Sequence, residues 1–466
     1  MNDWKAIIDH YKEQFLNDLD GLLRIPSVKD PKTASPNQPF GSAIDQALNY
    51  MLSLGERDGF RSYNCHGYAG HLEIGQGESS IGILSHLDVV PADPDQWDSD
   101  PFTSLIKDGK LYARGSLDDK GPSLMAYYAV KILNDLGVEW KKRLRLIYGT
   151  DEENGWEGVD HYFKEQDMPD FGLVPDGIFP MIYAEKGSAN LLFKKQTSPS
   201  QQLIHFEAGS AFNQVPDRAS AQLKGTDQLA QSFQDFLTTQ KLKGQVSFEN
   251  DIYELTLIGQ AAHAANPAAG LNAASLLSQF LIQEHLDQEA SQFLAFLDRY
   301  FIFSPDADKL GLVFQDQDLG NNSLNLALLS YHQGQIEIGV NFRYPASFSF
   351  ETASKRFQEI AEQEAFDFEI ISHQKASQTD LDLEETQLLL DIYREKTGDL
   401  TPPLAIGGIT YGRLFKKGLT FGPAFLNKPA TLHQPNEYIL LDDLFLALEI
   451  YLEGLYRLAT VEGSEK

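Results

Sequence analysis

At 466 residues, with 42% hydrophobic and 23% charged side chains, the chain is long enough for two domains and ordinary for a folded protein, which excludes disordered and fibrous classes. Its formal charge of −29 is spread along the sequence and disfavours phosphate backbones and anionic lipid surfaces, so neither nucleic acid nor membrane is expected as a partner. The single cysteine, Cys65, rules out an internal disulfide, and no apolar run approaches a bilayer span, so a cytoplasmic protein is expected.

The opening segment MNDWKAIIDHYKEQFLNDLDGLL reads as an amphipathic helix carrying acids throughout, not as a basic leader with an apolar core. NCHGYAGHLEIG follows as strand, turn and strand. His66 and His71, beside Cys65, lack matching ligands elsewhere and read as structural. Ile81–Ser85 predicts a buried strand ending at His86. Apolar spacing from Pro122 to Leu136 predicts a helix stopped by Gly137, and Arg143–Tyr148 a second strand running into the acidic TDEENG. Strand, helix, strand is the signature of a mostly parallel sheet, whose ligands sit beyond the carboxyl ends of the strands.

From about Lys186 to Leu383 the texture changes. LIHFEAGS through DQLAQSFQDFL and DIYELTLIG through NAASLLSQFLIQEHL each read as strand plus helix. The strand pair SLNLALLSYHQGQIEIGVNFRYP and the helix TASKRFQEIAEQEA follow. Antiparallel strands with helices on one face describe an inserted α+β domain. The expected fold class is therefore α/β, with residues 1–185 and 384–466 forming one domain and 186–383 the insertion.

Three short polar contexts suggest metal chemistry, because zinc and similar ions favour imidazole nitrogen and carboxylate oxygen, and a two-metal site also needs a carboxylate that bridges. In SHLDVVP, His86 ends a strand and Asp88 is placed to accept its other ring N–H; taken alone this is weak evidence, and a buried hydrogen-bonded histidine is the commoner explanation. In ARGSLDDKGP, Asp118 and Asp119 open a helix, as ligands or as its N-cap. In TDEENG, three crowded acids repel one another unless a metal neutralises them or one stays protonated; in isolation a solvated loop is the better reading, and the arrangement with the other clusters tips it toward a site.

With these segments in view, the chain resembles the M20 metallopeptidases, and within them the PepV-like dipeptidases of bacteria. The matching motifs are SHLDVVP, GSLDDKGP, DEENGW, PDGIFP with AEKG, GQAAHAANP, NFRYP, GGITYGR and LHQPNE, in the family's order from residue 86 to 437. The resemblance implies a mixed-sheet di-zinc exopeptidase catalytic domain and, in the insertion, a lid made of two similar halves. It implies His86 and Asp176 on one metal, Glu153 and His433 on the other, and Asp118 bridging. Glu152 is implied as general base, and Asp88 as the residue orienting His86. The same likeness implies a non-proline cis bond between Asp118 and Asp119. His263 is implied as the lid group stabilising the oxyanion, and Arg343 as the grip on a C-terminal carboxylate. Asn213, Gly408 and Ile409 are implied in substrate binding. Ile409, in GGITYGR, replaces a small residue of the family pattern. ADPDQW replaces a glycine-containing loop. None of the implied ligands is altered.

The expected function is hydrolysis of the bond after the N-terminal residue of dipeptides and very short peptides by a monomer with two divalent ions, zinc first and manganese or cobalt as alternatives. The rivals are an N-acyl amino acid deacylase or carboxypeptidase on the same scaffold, and a non-catalytic peptide-binding relative. GxSxG and the phosphate-loop motif are both absent.

Overall fold

A computed structural model describes residues 3–429 and 431–460. The chain divides into two compact units. The first comprises Met1–Tyr183, Thr379–Leu404 and Thr410–Lys466, and the second Ala184–Gln378 with Ala405–Ile409. No helix among the described residues is long and apolar enough to cross a membrane.

The first unit is built on a mixed sheet. Its order is Arg61–Cys65, Ala69–Ile74, Arg143–Gly149, Ser80–His86, Phe171–Val174 and Gly418–Thr420, followed by Ile182 of the strand Ile182–Glu185. The four strands from Arg143–Gly149 to Gly418–Thr420 run parallel. Ser80–His86 is central and almost entirely buried, as expected of an uninterrupted apolar run with helices on both faces. The helix Lys120–Asp135 supplies the crossover from Ser80–His86 to Arg143–Gly149. Every residue from Lys120 to Leu133 is buried, and Gly137 follows its end at φ 71°.

A helix buried on all sides must find partners for its polar groups. Tyr127 donates to the carbonyl of Leu54 at 2.8 Å and Tyr128 to Asp18 at 2.6 Å. The helices Trp4–Leu23 and Leu441–Thr460 contribute to the same core, through Phe15, Leu19 and Leu22 and through Leu444, Leu448 and Leu455. Cys65 and Ala69 close the antiparallel hairpin that carries His66 and His71. His71 is buried and shares a hydrogen bond of 2.7 Å with Tyr162.

In the second unit, eight antiparallel strands form one sheet. Their order is Lys243–Glu249, Ile252–Ile258, Arg218–Leu223, Leu203–Ala208, Ser323–His332, Gln335–Tyr344, Gly187–Gln196 and Asp367–Gln374. Two four-stranded halves meet where Leu203–Ala208 pairs with Ser323–His332. The helices Asp227–Gln240, Ala273–Gln283, Gln288–Tyr300 and Phe350–Glu364 turn their apolar stripes into one core, for example Leu229, Phe233 and Leu237 at intervals of four. Asn272 and Asp287 cap two of these helices, accepting from Ser275 N–H at 3.0 Å and Ala290 N–H at 3.1 Å.

Candidate active site

Three adjacent parallel strands of the first unit deliver their polar ends to one place. His86 is the last residue of Ser80–His86, Glu152 and Glu153 follow Arg143–Gly149, and Asp176 follows Phe171–Val174. Asp118 enters from the loop before Lys120–Asp135, and His433 from the loop before Tyr438–Leu440.

His86 Nε2 lies 2.9 Å from Asp118 Oδ1 and 3.7 Å from Asp176 Oδ2. His433 Nε2 lies 3.0 Å from both Asp118 Oδ2 and Glu153 Oε1. Two triads result, His86–Asp118–Asp176 and Asp118–Glu153–His433, with the ligand-type atoms of each within 4.8 Å of one another. Asp118 is common to both and turns one oxygen toward each imidazole.

Long-range bonds shape the loops. The Asp118–Asp119 peptide is cis. Asp119 occupies the N-cap position of its helix but caps nothing with its side chain; Oδ2 instead accepts the backbone N–H of His86 at 3.0 Å. Lys120 is fully buried and reaches back to the carbonyls of Leu22 and Ile25 at 3.3 and 2.5 Å, and burial pushes its amine down to about 7. Asp88 works in two directions. Its carbonyl accepts from His86 Nδ1 at 2.9 Å, with the carboxylate at 3.5 Å from the same nitrogen, and its two oxygens accept the N–H groups of Glu152 and Glu153 at 3.1 Å each. Asp151, the first acid of TDEENG, turns aside to pair with Lys29 at 2.7 Å.

The donor chemistry fits divalent cations. A carbonyl can only accept, so His86 Nδ1 carries a proton, and its Nε2 faces carboxylate oxygens. His433 Nε2 faces two more. Lone pairs so opposed repel unless a proton or a cation lies between them. The titration behaviour reflects this crowding. Burial, with Asp118 next, pushes Asp176 up to about 7. Burial and the neighbouring acids Asp176, Glu153 and Asp118 raise Glu152 well above the carboxylate range, against the opposing effect of His86. Asp118 and Glu153 raise His433 to about 10. Imidazole nitrogen with carboxylate oxygen, in two sets sharing one aspartate, suits zinc, manganese or cobalt.

Residues 82–457 match Peptidase family M20/M25/M40. The chain belongs to this peptidase family. A Staphylococcus epidermidis protein named "Putative dipeptidase" is 40% identical over 465 residues, covering 98% of this chain and 99% of its own. The aminoacylhistidine dipeptidase from Vibrio alginolyticus shares the fold at 15% identity, with a TM-score of 0.58 and coverage of 96% and 97% of the two chains. The M20 family metallo-carboxypeptidase Sso-CP2 from Sulfolobus solfataricus shares it at 17% identity, TM-score 0.56 and coverage of 95% and 98%. A dipeptidase and a metallo-carboxypeptidase thus both carry this fold, and the fold alone does not select between them.

In the second unit, Asn213, His263, Arg343 and Ile409 line one cavity of about 310 Å³ together with Ser188, Asn341 and other polar groups. Gly408 adjoins Ile409 in the segment Ala405–Ile409. Arg343 is buried; its Nε donates to Asn341 Oδ1 at 3.0 Å and its Nη1 to the carbonyl of Gly407. His263 Nδ1 accepts the N–H of Ala265 at 3.3 Å, which leaves Nε2 as the protonated donor. Burial, reinforced by the Arg343 charge, lowers the pKa of His263 and favours that neutral form.

Sequence reasoning passed over Glu437. This buried carboxylate accepts the N–H groups of Gly115, Leu117 and Asp118 at 3.1, 2.9 and 3.2 Å through Oε1, and pairs with Arg114 at 2.5 Å through Oε2. It ties the loop of Asp118 to the loop of His433, four residues upstream. A single acid at the end of LHQPNE carries no periodic signal that would reveal this.

Proposed function

We propose that this chain is a metal-dependent dipeptidase that releases the N-terminal residue from dipeptides and very short peptides, as a cytoplasmic monomer. The observation that carries the reading is the pair of triads sharing Asp118, with Glu152 beside them. In this reading His86, Asp118 and Asp176 would hold one divalent ion and Asp118, Glu153 and His433 a second, zinc before manganese or cobalt, and the bound ions supply Lewis acidity for the scissile carbonyl and the nucleophilic water.

The chain's own groups do the rest. Glu152 takes a proton from the attacking water and returns it to the leaving amine. Its acidic, enclosed surroundings favour that exchange. Asp88 fixes the tautomer of His86 and, by holding the Glu152 and Glu153 amides, the direction of the base. Residues 186–383 act as a lid. His263 donates from Nε2 to the developing oxyanion, and Arg343 grips the substrate's C-terminal carboxylate. Asn213, Gly408 and Ile409 line the substrate's path. A carboxylate grip one residue beyond the scissile bond excludes long peptides. The monomeric state is supported by the two halves joined in one sheet of the second unit, which give a single chain a complete lid.

The test is hydrolysis by purified protein with added zinc or manganese of a dipeptide, the matching tripeptide, the N-acetylated dipeptide and an N-acetyl amino acid. Rapid cleavage of the free dipeptide alone is expected. Preferential cleavage of the acetylated compounds would overturn the reading in favour of a deacylase.

A further inference from the structure

The first unit holds an apolar cavity of about 150 Å³ walled in part by Leu117, Ile178, Ala424, Phe425 and Leu432. Three of these residues are chain neighbours of the metal-type cluster. Leu117 precedes Asp118, Leu432 precedes His433, and Ile178 lies two residues after Asp176. Consecutive α-carbons are about 3.8 Å apart, so part of the cavity wall lies within a residue or two of three of the five clustered groups.

Its chemistry is selective. The charged groups lining it, Lys428 and Asp443, face each other at 3.3 Å and offset one another, so it presents no net charge to an ionised side chain. A cavity of about 150 Å³ lined mainly by aliphatic and aromatic groups is large enough for a benzene ring. Leu432 is exposed at 43%, an apolar side chain left at the surface.

Resting on the dipeptidase reading above, we infer that this cavity receives the side chain of the substrate's N-terminal residue and selects apolar residues of leucine or phenylalanine size. The assignment to that residue follows from where the groups lie. In that reading Asp118 and Glu152, the acids available to the substrate ammonium, belong to this unit, whereas Arg343, the carboxylate grip, belongs to the other. A side chain entering beside Asp118, Asp176 and His433 is therefore the one on the ammonium side of the scissile bond.

Ala424 is the small residue of the wall, and enlarging it narrows the cavity. The experiment measures kcat/KM for Leu-Gly, Phe-Gly, Ala-Gly, Asp-Gly and Gly-Leu with the zinc-loaded wild type, Ala424→Leu and Leu426→Ala, the last altering another lining residue. The wild type is expected to prefer Leu-Gly and Phe-Gly over Ala-Gly by about tenfold or more, and to reject Asp-Gly. Ala424→Leu is expected to lower the Leu-Gly to Ala-Gly ratio by about tenfold, and Leu426→Ala to change the Phe-Gly to Leu-Gly ratio. Both variants are read as ratios, so partial loss of folded protein cancels, and either suffices if the other does not fold. Equal wild-type rates on Leu-Gly, Ala-Gly and Asp-Gly, or ratios unmoved by both variants, would overturn the inference while leaving the dipeptidase reading standing. A change confined to Gly-Leu would overturn the assignment to the N-terminal residue. No cleavage of any dipeptide would instead overturn the dipeptidase reading itself.

Discussion

Replacing Glu437 by glutamine tests whether the loop carrying Asp118 is held in place by one buried carboxylate. The amide has nearly the same shape but only one oxygen. If that oxygen faces the three N–H groups of Gly115, Leu117 and Asp118, the NH2 faces Arg114, donor against donor. Arg114, itself 3% exposed, then keeps its charge without a counterion. Breaking a buried ion pair by removing one partner costs about 3–5 kcal/mol. For a unit of this size each kcal/mol moves the melting midpoint by about 2–4 °C, so a fall of roughly 10 °C is expected by scanning calorimetry. Retention of metal after dialysis against a weak chelator should fall with it, because Asp118 serves both triads. Adding Arg114→Met to Glu437→Gln removes the stranded charge and should recover more than half of the loss. A midpoint for Glu437→Gln within about 3 °C of wild type, or a double variant no more stable than the single one, would refute the reasoning.

Glu152→Gln should cost about 10²- to 10⁴-fold in kcat while the protein keeps its full metal content by elemental analysis, since the amide cannot accept the proton. His263→Ala should lower kcat about 10²- to 10³-fold with little change in KM, as expected when an oxyanion donor is lost; an effect on KM alone would count against that role. Stability should also fall on acidification through His71, whose pKa burial, aided by Arg145, lowers from 6.5 to about 4. The unfolded chain then binds the proton more readily, so this contribution is fully present above pH 6.5 and is lost as the pH falls toward 4; it is worth up to about 3 kcal/mol. His71→Phe should lose less stability between pH 7 and pH 4 than wild type, both metal-stripped and compared by chemical denaturation, and equal losses would refute the argument.

The parts of this fold that were legible in the sequence are those governed by local pattern. Apolar spacing located the strand ending at His86, the helix after Asp119 and the strand before TDEENG, and their order implied that polar residues would gather at the strand ends. Long-range partners were not legible. Whether Asp119 caps its helix or bonds His86 is decided by a chain segment 33 residues away, and which acid of TDEENG turns outward is decided by Lys29, 122 residues away. Glu437 shows the limit most plainly, because its acceptor role depends on amides more than 300 residues upstream. Cys65 lies with His161 and Glu165 and not in a cluster with His66 and His71, a juxtaposition made by the helix Glu157–Glu165 and invisible in the local NCHGYAGH context.

The order of the chain and the order of the core do not coincide, and this bears on synthesis. The first unit needs Gly418–Thr420 beside Phe171–Val174 and the apolar face of Leu441–Thr460 in its core. The second unit has all eight strands of its sheet by residue 374. At about 5–20 residues per second, the first 183 residues wait tens of seconds for those last segments to leave the ribosome. The inserted unit is therefore expected to fold ahead of the unit that encloses it in sequence. During that interval the apolar faces of Ser80–His86 and Lys120–Asp135 are the surfaces a nascent-chain chaperone would have to shield.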